Sequence, residues 1–228
     1  MTLPISTRLL ACAGFVRRGD RIADIGCDHG YLGLHLLRSG TAESIIAADV
    51  NEGPLLSAVH NSEKFGLRDK MRFYLSDGFR NVPRDFDCAV CAGMGADTMI
   101  SILEAAPWLR SESYRLILQC QSKRPELRRY LSDHGFRICR ETLARDGKFI
   151  YPVMEVAYGE AEPLTDAQCH LSPALLACGS ELLPEFLDRV TAGMEITVNG
   201  LSRSGGEKYE YYKKLLQEVK ELAEGAAV

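Results

Sequence analysis

The 228-residue chain has no long hydrophobic run; none approaches the roughly 18 apolar residues of a membrane-spanning helix. Met1 to Ser6 carry no basic stretch ahead of an apolar block, so no secretory leader is expected. A soluble, cytoplasmic protein without a membrane partner is the expectation. No two Cys or His pairs occur together at finger spacing. Of the eight cysteines, only Cys88 and Cys91 form a C-x-x-C, inside the β-like run Asp87-Cys88-Ala89-Val90-Cys91-Ala92. Residues three apart on a strand point to opposite faces, so no metal is expected there and the thiols read as buried and free. An overall basic charge is missing too: the net charge is −4. The deficit sits in residues 160–228, with six basic and twelve acidic side chains, which leaves 21 basic and 19 acidic residues on 1–159. Local basic clusters, rather than the total, therefore decide whether nucleic acid can bind.

What is present is alternation. β-like runs cover Arg21–Ile25, Ser44–Asp49, Met71–Leu75, Asp87–Ala92 and Arg115–Gln119. Helical periodicity covers about 3–16, 31–38, 54–65, 96–104 and 125–134. Such alternation implies a parallel sheet with right-handed crossovers. Two further β-rich runs, Arg137–Leu143 and Phe149–Tyr158, flank Asp146-Gly147-Lys148 and read as a closing antiparallel hairpin. After Gly159 the composition changes: 160–169 reads as a linker with Pro163, and helical patterns at about 180–201 and 207–223 are separated by a turn at 202–206. The expected fold is α/β, a Rossmann-like methyltransferase sheet, mostly parallel, with a small C-terminal helical-hairpin domain. The expected division is 1–159 for cofactor binding and catalysis, and 160–228 for the helices. Oligomeric state is open, with a monomer favoured.

The turn Gly26-Cys27-Asp28-His29-Gly30 joins the first strand to the first crossover helix, the nucleotide-cofactor position of a doubly wound sheet. A dinucleotide loop has a second glycine where this chain has Asp28. Two like charges at about 4 Å near a protein surface repel by on the order of 4 kcal/mol, so a pyrophosphate is a poor guest. A cofactor with a sulfonium and an amino group is a better one, which points to S-adenosylmethionine, leaving S-adenosylhomocysteine. Gly26, Cys27, Asp28 and His29 would line its methionine end. Asp49, with Val50 beside it, ends the second strand where a carboxylate accepts both ribose hydroxyls. Asp77-Gly78 follows the third, where an aspartate can accept from the adenine amino group. Arg8, ahead of the first strand, could reach the cofactor carboxylate or an RNA phosphate.

Gly93-Met94-Gly95 follows the fourth strand, over which the methyl acceptor is expected to sit. The glycines free backbone groups for a flat base and Met94 offers a polarizable surface. The Asp/Asn-Pro-Pro-aromatic motif used for exocyclic amines is absent. Attack by a ring nitrogen needs it less, because adenine N1 has a free lone pair. Positioning and a negative field, in which Asp28 can take part, then carry most of the catalysis. Gln119 and Gln121 at the end of the fifth strand could pair with a base edge. Cys120 is not needed as a nucleophile. Arg17 and Arg18, and Lys123, Arg124, Arg128 and Arg129, are the candidate phosphate contacts.

Ile5-Ser6-Thr7-Arg8-Leu9, Ala23-Asp24-Ile25-Gly26-Cys27-Asp28-His29-Gly30-Tyr31-Leu32, Ala92-Gly93-Met94-Gly95, Leu116-Ile117-Leu118-Gln119 and Leu143-Ala144-Arg145-Asp146-Gly147-Lys148-Phe149 occur in that order. Through them the chain resembles the bacterial tRNA (adenine-22-N1)-methyltransferase family over about residues 5–158. The resemblance implies S-adenosylmethionine as donor, tRNA as partner and N1 of an adenine in the D arm as target. By position it makes Gly26, Asp28, His29, Asp49, Asp77 and Gly93 cofactor-side residues. The chain departs from the family's usual pattern at Cys120-Gln121, Asp49 and Ala96. Two other readings share these residues: a methyltransferase of the same fold acting on another RNA or a small molecule, and an RNA-binding relative without turnover.

Overall fold

Five apolar runs become five parallel strands whose carboxyl ends share one edge. The computed structural model describes residues 3–226. Its elements are α1 (Thr7–Ala13), β1 (Asp20–Ile25), α2 (Tyr31–Arg38), β2 (Ala42–Asp49), α3 (Glu52–Lys64), β3 (Met71–Leu75), β4 (Cys88–Met94) and α4 (Ala96–Glu104). There follow β5 (Arg115–Cys120), α5 (Arg124–Asp133), β6 (Phe136–Asp146), β7 (Phe149–Tyr158), α6 (Asp166–His170), α7 (Pro173–Leu176), α8 (Leu183–Ser202) and α9 (Glu207–Gly225). The sheet order is β3-β2-β1-β4-β5-β7-β6, parallel from β3 to β5, with β7 antiparallel to both β5 and β6. The expected α/β sheet with a terminal hairpin is thus present, and the order reverses between β1 and β4, where such sheets bind ligands.

Burial on both faces explains why the strands read as nearly continuous apolar runs. Ala23, Ile25, Ile46, Cys91 and Leu118 belong to one core; Ile22, Ile45, Cys88, Val90 and Ile117 belong to the other. Cys88 and Cys91 therefore lie on opposite faces of β4 and cannot share an ion. Among the described residues no group of three His, Cys, Asp or Glu is placed to hold a metal.

Several boundaries differ from the sequence expectation. The first helix begins at Thr7, not near residue 3, because Ser6 is extended (φ −74°, ψ 157°) and takes the N-cap position; Leu3 and Ile5 still pack on the core. The expected linker contains α6, started by a capping box in which Thr165 and Gln168 exchange side-chain and backbone hydrogen bonds. β4 runs two residues further than expected, to Met94. The C-terminal helices do not stand apart: Leu143 and Ile150 of the β6–β7 hairpin share a core with Phe186, Leu187, Met194, Leu215 and Val219.

Candidate cofactor and acceptor site

Gly26, Asp49, Asp77 and Gly93 follow or end adjacent parallel strands, so the topology alone places them along one edge. Asp49 is buried and organises the turn after β1: one carboxylate oxygen accepts from the Asp28 amide (3.1 Å), the other from the Asn51 amide (2.9 Å). Asp28 has φ 50°, one of two non-glycine residues at positive φ among those described. Aspartate tolerates this conformation better than most residues, so Asp28 keeps the backbone shape of a glycine turn while adding a carboxylate. That carboxylate is exposed and lies 3.5 Å from the His29 ring. Gly26 has φ +74°, and a Cβ there would come within 2.4 Å of the Met94 Cε. Met94 therefore folds over the turn after β1, toward the cofactor side.

One expectation is modified here. Cys27 turns its side chain into the core, and burial pushes its thiol well above the ordinary range; only its backbone is left for the loop. Val50 is exposed beside Asp49. Asp77 is exposed and pairs with Arg80 at 3.4 Å, while Ser76, through its hydroxyl, ties the turn to Gly78 and Asn81.

Asp24 was missed as a site residue. It is buried in β1, one carboxylate oxygen has no hydrogen-bond partner, and burial, then the charges of Asp49 and Asp28, push its pKa up to about 7. The signal was present: a carboxylate inside an otherwise apolar, doubly buried strand.

At the end of β4 the ladder is irregular. Ala92 faces Gln119 and Met94 faces Cys120, so Gly93, with φ +83°, is an inserted residue of the bulge type that favours glycine. Its amide donates to the Gln119 side-chain oxygen at 3.0 Å. The same oxygen accepts from the Arg8 guanidinium at 3.2 Å, and Arg8 Nε lies 3.3 Å from Asp146. Gln119 is fully buried, so the expectation that it reads a base edge is corrected: its side chain shapes the bulge. Its Nε2 has no partner. Gln121 is exposed and lines the adjoining hollow, so it is the glutamine that can meet a base. Arg8 covers Gly93, where a Cβ would approach its guanidinium to 2.9 Å. Cys120 is buried with a raised pKa, as befits a core thiol.

The basic candidates divide. Arg128 is corrected: it is fully buried, bidentate to Glu141 (2.7 and 3.1 Å), and it also donates to the Cys169 and His170 carbonyls. Arg129 is likewise structural, pairing with Asp166 and donating to the Leu164 carbonyl at 2.8 Å. Helical periodicity placed both on α5 but could not show that β6 and α6 cover that face. Arg17 and Arg18 precede β1, at the edge opposite the cofactor turn, and Arg17 pairs with Glu155 at 3.1 Å, so as phosphate contacts they would lie away from the acceptor loop. Lys123 is exposed and pairs with Asp97 at 2.7 Å. Arg124 has no carboxylate partner among the described residues and lines two hollows.

Comparison with known proteins gives the same fold and more. A family profile described as a methyltransferase domain matches residues 5–154. The tRNA (adenine(22)-N(1))-methyltransferase of Bacillus subtilis is 30% identical over 165 residues, 72% of this chain and 69% of that protein. The MG248 protein of Mycoplasma genitalium is 35% identical over 140 residues, 59% of this chain; the match spans 61% of that relative's length, a little under two thirds. The crystal structure of Sp1610 from Streptococcus pneumoniae superposes with a TM-score of 0.87 at 30% identity, covering 96% of this chain and 99% of that one. The same protein in complex with S-adenosyl-L-methionine gives a TM-score of 0.83.

Proposed function

We propose that this chain, which belongs to the methyltransferase-domain family and within it to the bacterial tRNA (adenine-22-N1)-methyltransferases, transfers a methyl group from S-adenosylmethionine to N1 of adenine 22 in the D arm of tRNA. The observation that carries the reading is the buried Asp49 carboxylate, which holds the Asp28 turn at the point where the strand order reverses. The residues fit the donor. Gly26 supplies the positive-φ turn against which Met94 packs, Asp49 offers acceptors for ribose hydroxyls, and the carboxylates of Asp24 and Asp28 favour a cationic guest. Asp77 is free enough to accept from an adenine amino group.

The bound donor supplies an electrophilic methyl group on a sulfonium. The protein's part is to orient and to exclude. Gly93 and Gly95 keep the end of β4 low, Arg8 and Gln119 hold the bulge in shape, and Gln121 faces the acceptor hollow. Adenine N1 carries its own lone pair, so no side chain has to remove a proton before attack, and the residues act mainly through positioning and field. Such an enzyme would work in the cytoplasm on maturing tRNA. Among the described residues no helix is long and apolar enough to cross a membrane.

The direct test incubates purified protein with S-adenosylmethionine and unmodified tRNA transcripts, followed by reverse transcription. A methyl on N1 blocks the Watson–Crick edge, so copying is expected to stop beside adenine 22. Retained donor binding without that stop would discard the tRNA acceptor.

A pH effect follows from Asp24. Its proton is held in the fold up to about pH 7, whereas an unfolded aspartate has lost it by about pH 4. The donor-free protein should therefore lose stability as pH rises across that interval. A cationic donor favours the ionised form, so donor binding is expected to tighten from pH 6 to pH 8 with release of a proton. Calorimetry in buffers of different ionisation enthalpy measures that proton; Asp24→Asn should abolish it. A pH-independent affinity in the unaltered protein would sink the idea.

A further inference from the structure

Two adjoining hollows lie beside the acceptor loop. The first, about 570 Å³, runs from Gly95 and Gln121 at the ends of β4 and β5 to Phe149 of β7 and Phe186 of α8. The second, about 260 Å³, continues between α5 and α8 as far as Tyr212 of α9. Arg124 and Arg189 line both, so they stand where the hollows join.

Charge accounting singles out Arg124. Its neighbours on the same segment each have an acid: Lys123 has Asp97, Arg128 has Glu141 and Arg129 has Asp166. Arg124 has none among the described residues. Its guanidinium lies 5.2 Å from the centre of the Phe186 ring, and its one hydrogen bond, to the Ile150 carbonyl, is 3.5 Å long. Burial, and then the charge of Arg128, push its pKa below the ordinary arginine range. Arg124 is a partly desolvated cation whose nearest buried carboxylate, Glu141, is already bound by Arg128, so a further anion at its guanidinium would be favourable. Nearby, Arg145 and Arg189 share the single carboxylate of Glu185, so the rim is also short of negative charge. At the mouth, Phe149 is exposed, with the Lys148 ammonium 5.3 Å from its ring centre. A cationic groove with an exposed aromatic face suits a nucleic-acid strand that is not in a duplex.

We propose that the junction at Arg124 is the subsite for the nucleotide adjoining the methylated adenine, with its phosphodiester on the Arg124 guanidinium, its base against Phe149, and the strand continuing along α8. The inference rests on RNA being the acceptor. It makes the C-terminal helix α8 one wall of the substrate site, through Phe186 and Arg189.

The test compares the full-length protein with Arg124→Gln, Arg124→Lys and Phe149→Ala, measuring tRNA binding across a salt series, donor binding by calorimetry, and melting temperature. Arg124→Gln is expected to weaken tRNA binding about tenfold and to lower the slope of log affinity against log salt by about 1, the signature of one lost phosphate contact. Donor affinity should not change, and the melting temperature should hold or rise, because a half-buried charge without an ion-pair partner is removed. Arg124→Lys should restore the slope. Phe149→Ala should weaken binding without changing the slope. A wild-type slope in Arg124→Gln, or a loss of thermal stability alone, would overturn the subsite while leaving the proposed activity standing. Wild-type protein that neither binds nor methylates tRNA would remove both.

Discussion

Asp49→Ala is expected to weaken S-adenosylmethionine binding by about 100-fold. Asp49 does two things with one carboxylate. It accepts the amides of Asp28 and Asn51, which shapes the turns after β1 and β2, and it has lone pairs left for ribose hydroxyls. Hydrogen bonds to a charged acceptor contribute about 1.5–3 kcal/mol each. Losing the equivalent of about 3 kcal/mol is roughly a hundredfold in affinity. Asp49→Asn separates the two roles, because its single carbonyl can keep one amide but cannot accept at both positions; an intermediate loss is expected. Calorimetric titration with the donor measures both variants. An Asp49→Ala affinity within threefold of wild type would remove Asp49 from the donor site.

The largest effect on stability should come from the Arg128–Glu141 pair. Both side chains are buried, and the guanidinium also holds the Cys169 and His170 carbonyls at the end of α6, while Ser172 donates to Glu141. Removing one member leaves the other charge buried without a partner, which costs about 3–5 kcal/mol. For a chain of this size Arg128→Met should then lower the melting temperature by about 6–20 °C. Adding Glu141→Leu removes the stranded charge and should recover part of the loss. Recovery stays incomplete, since two carbonyls and one hydroxyl still lack partners. Thermal unfolding of the single and double variants checks this; a double variant no more stable than the single one would contradict it. Arg128→Met should leave the salt slope of tRNA binding unchanged, the opposite of Arg124→Gln, although both residues lie on one helix and look alike in the sequence.

That contrast shows what each level decides. Local chemistry was legible in order along the chain. The apolar runs became β1 to β5 because a strand buried on both faces leaves no room for polar alternation. Gly26 and Asp28 marked a turn that few other residues can form, and Asp49 and Asp77 stood at strand ends where parallel order brings them to one edge. The capping box at Thr165 was equally local and was overlooked within a Pro-containing stretch. Pairings between distant segments were beyond reach. Nothing near Gln119 in sequence indicates that its oxygen would hold Gly93 and Arg8. Nothing near Arg128 announces Glu141, and Arg17 and Arg18 look as available as Arg124 until the sheet places them at opposite edges. Sequence by itself determined the strands, the order of the site motifs and the chemistry they suit, since these depend on short-range geometry and side-chain type. Only the tertiary structure decided which cations are neutralised and which are left open, because charge balance is set by neighbours in space that the chain spacing does not encode.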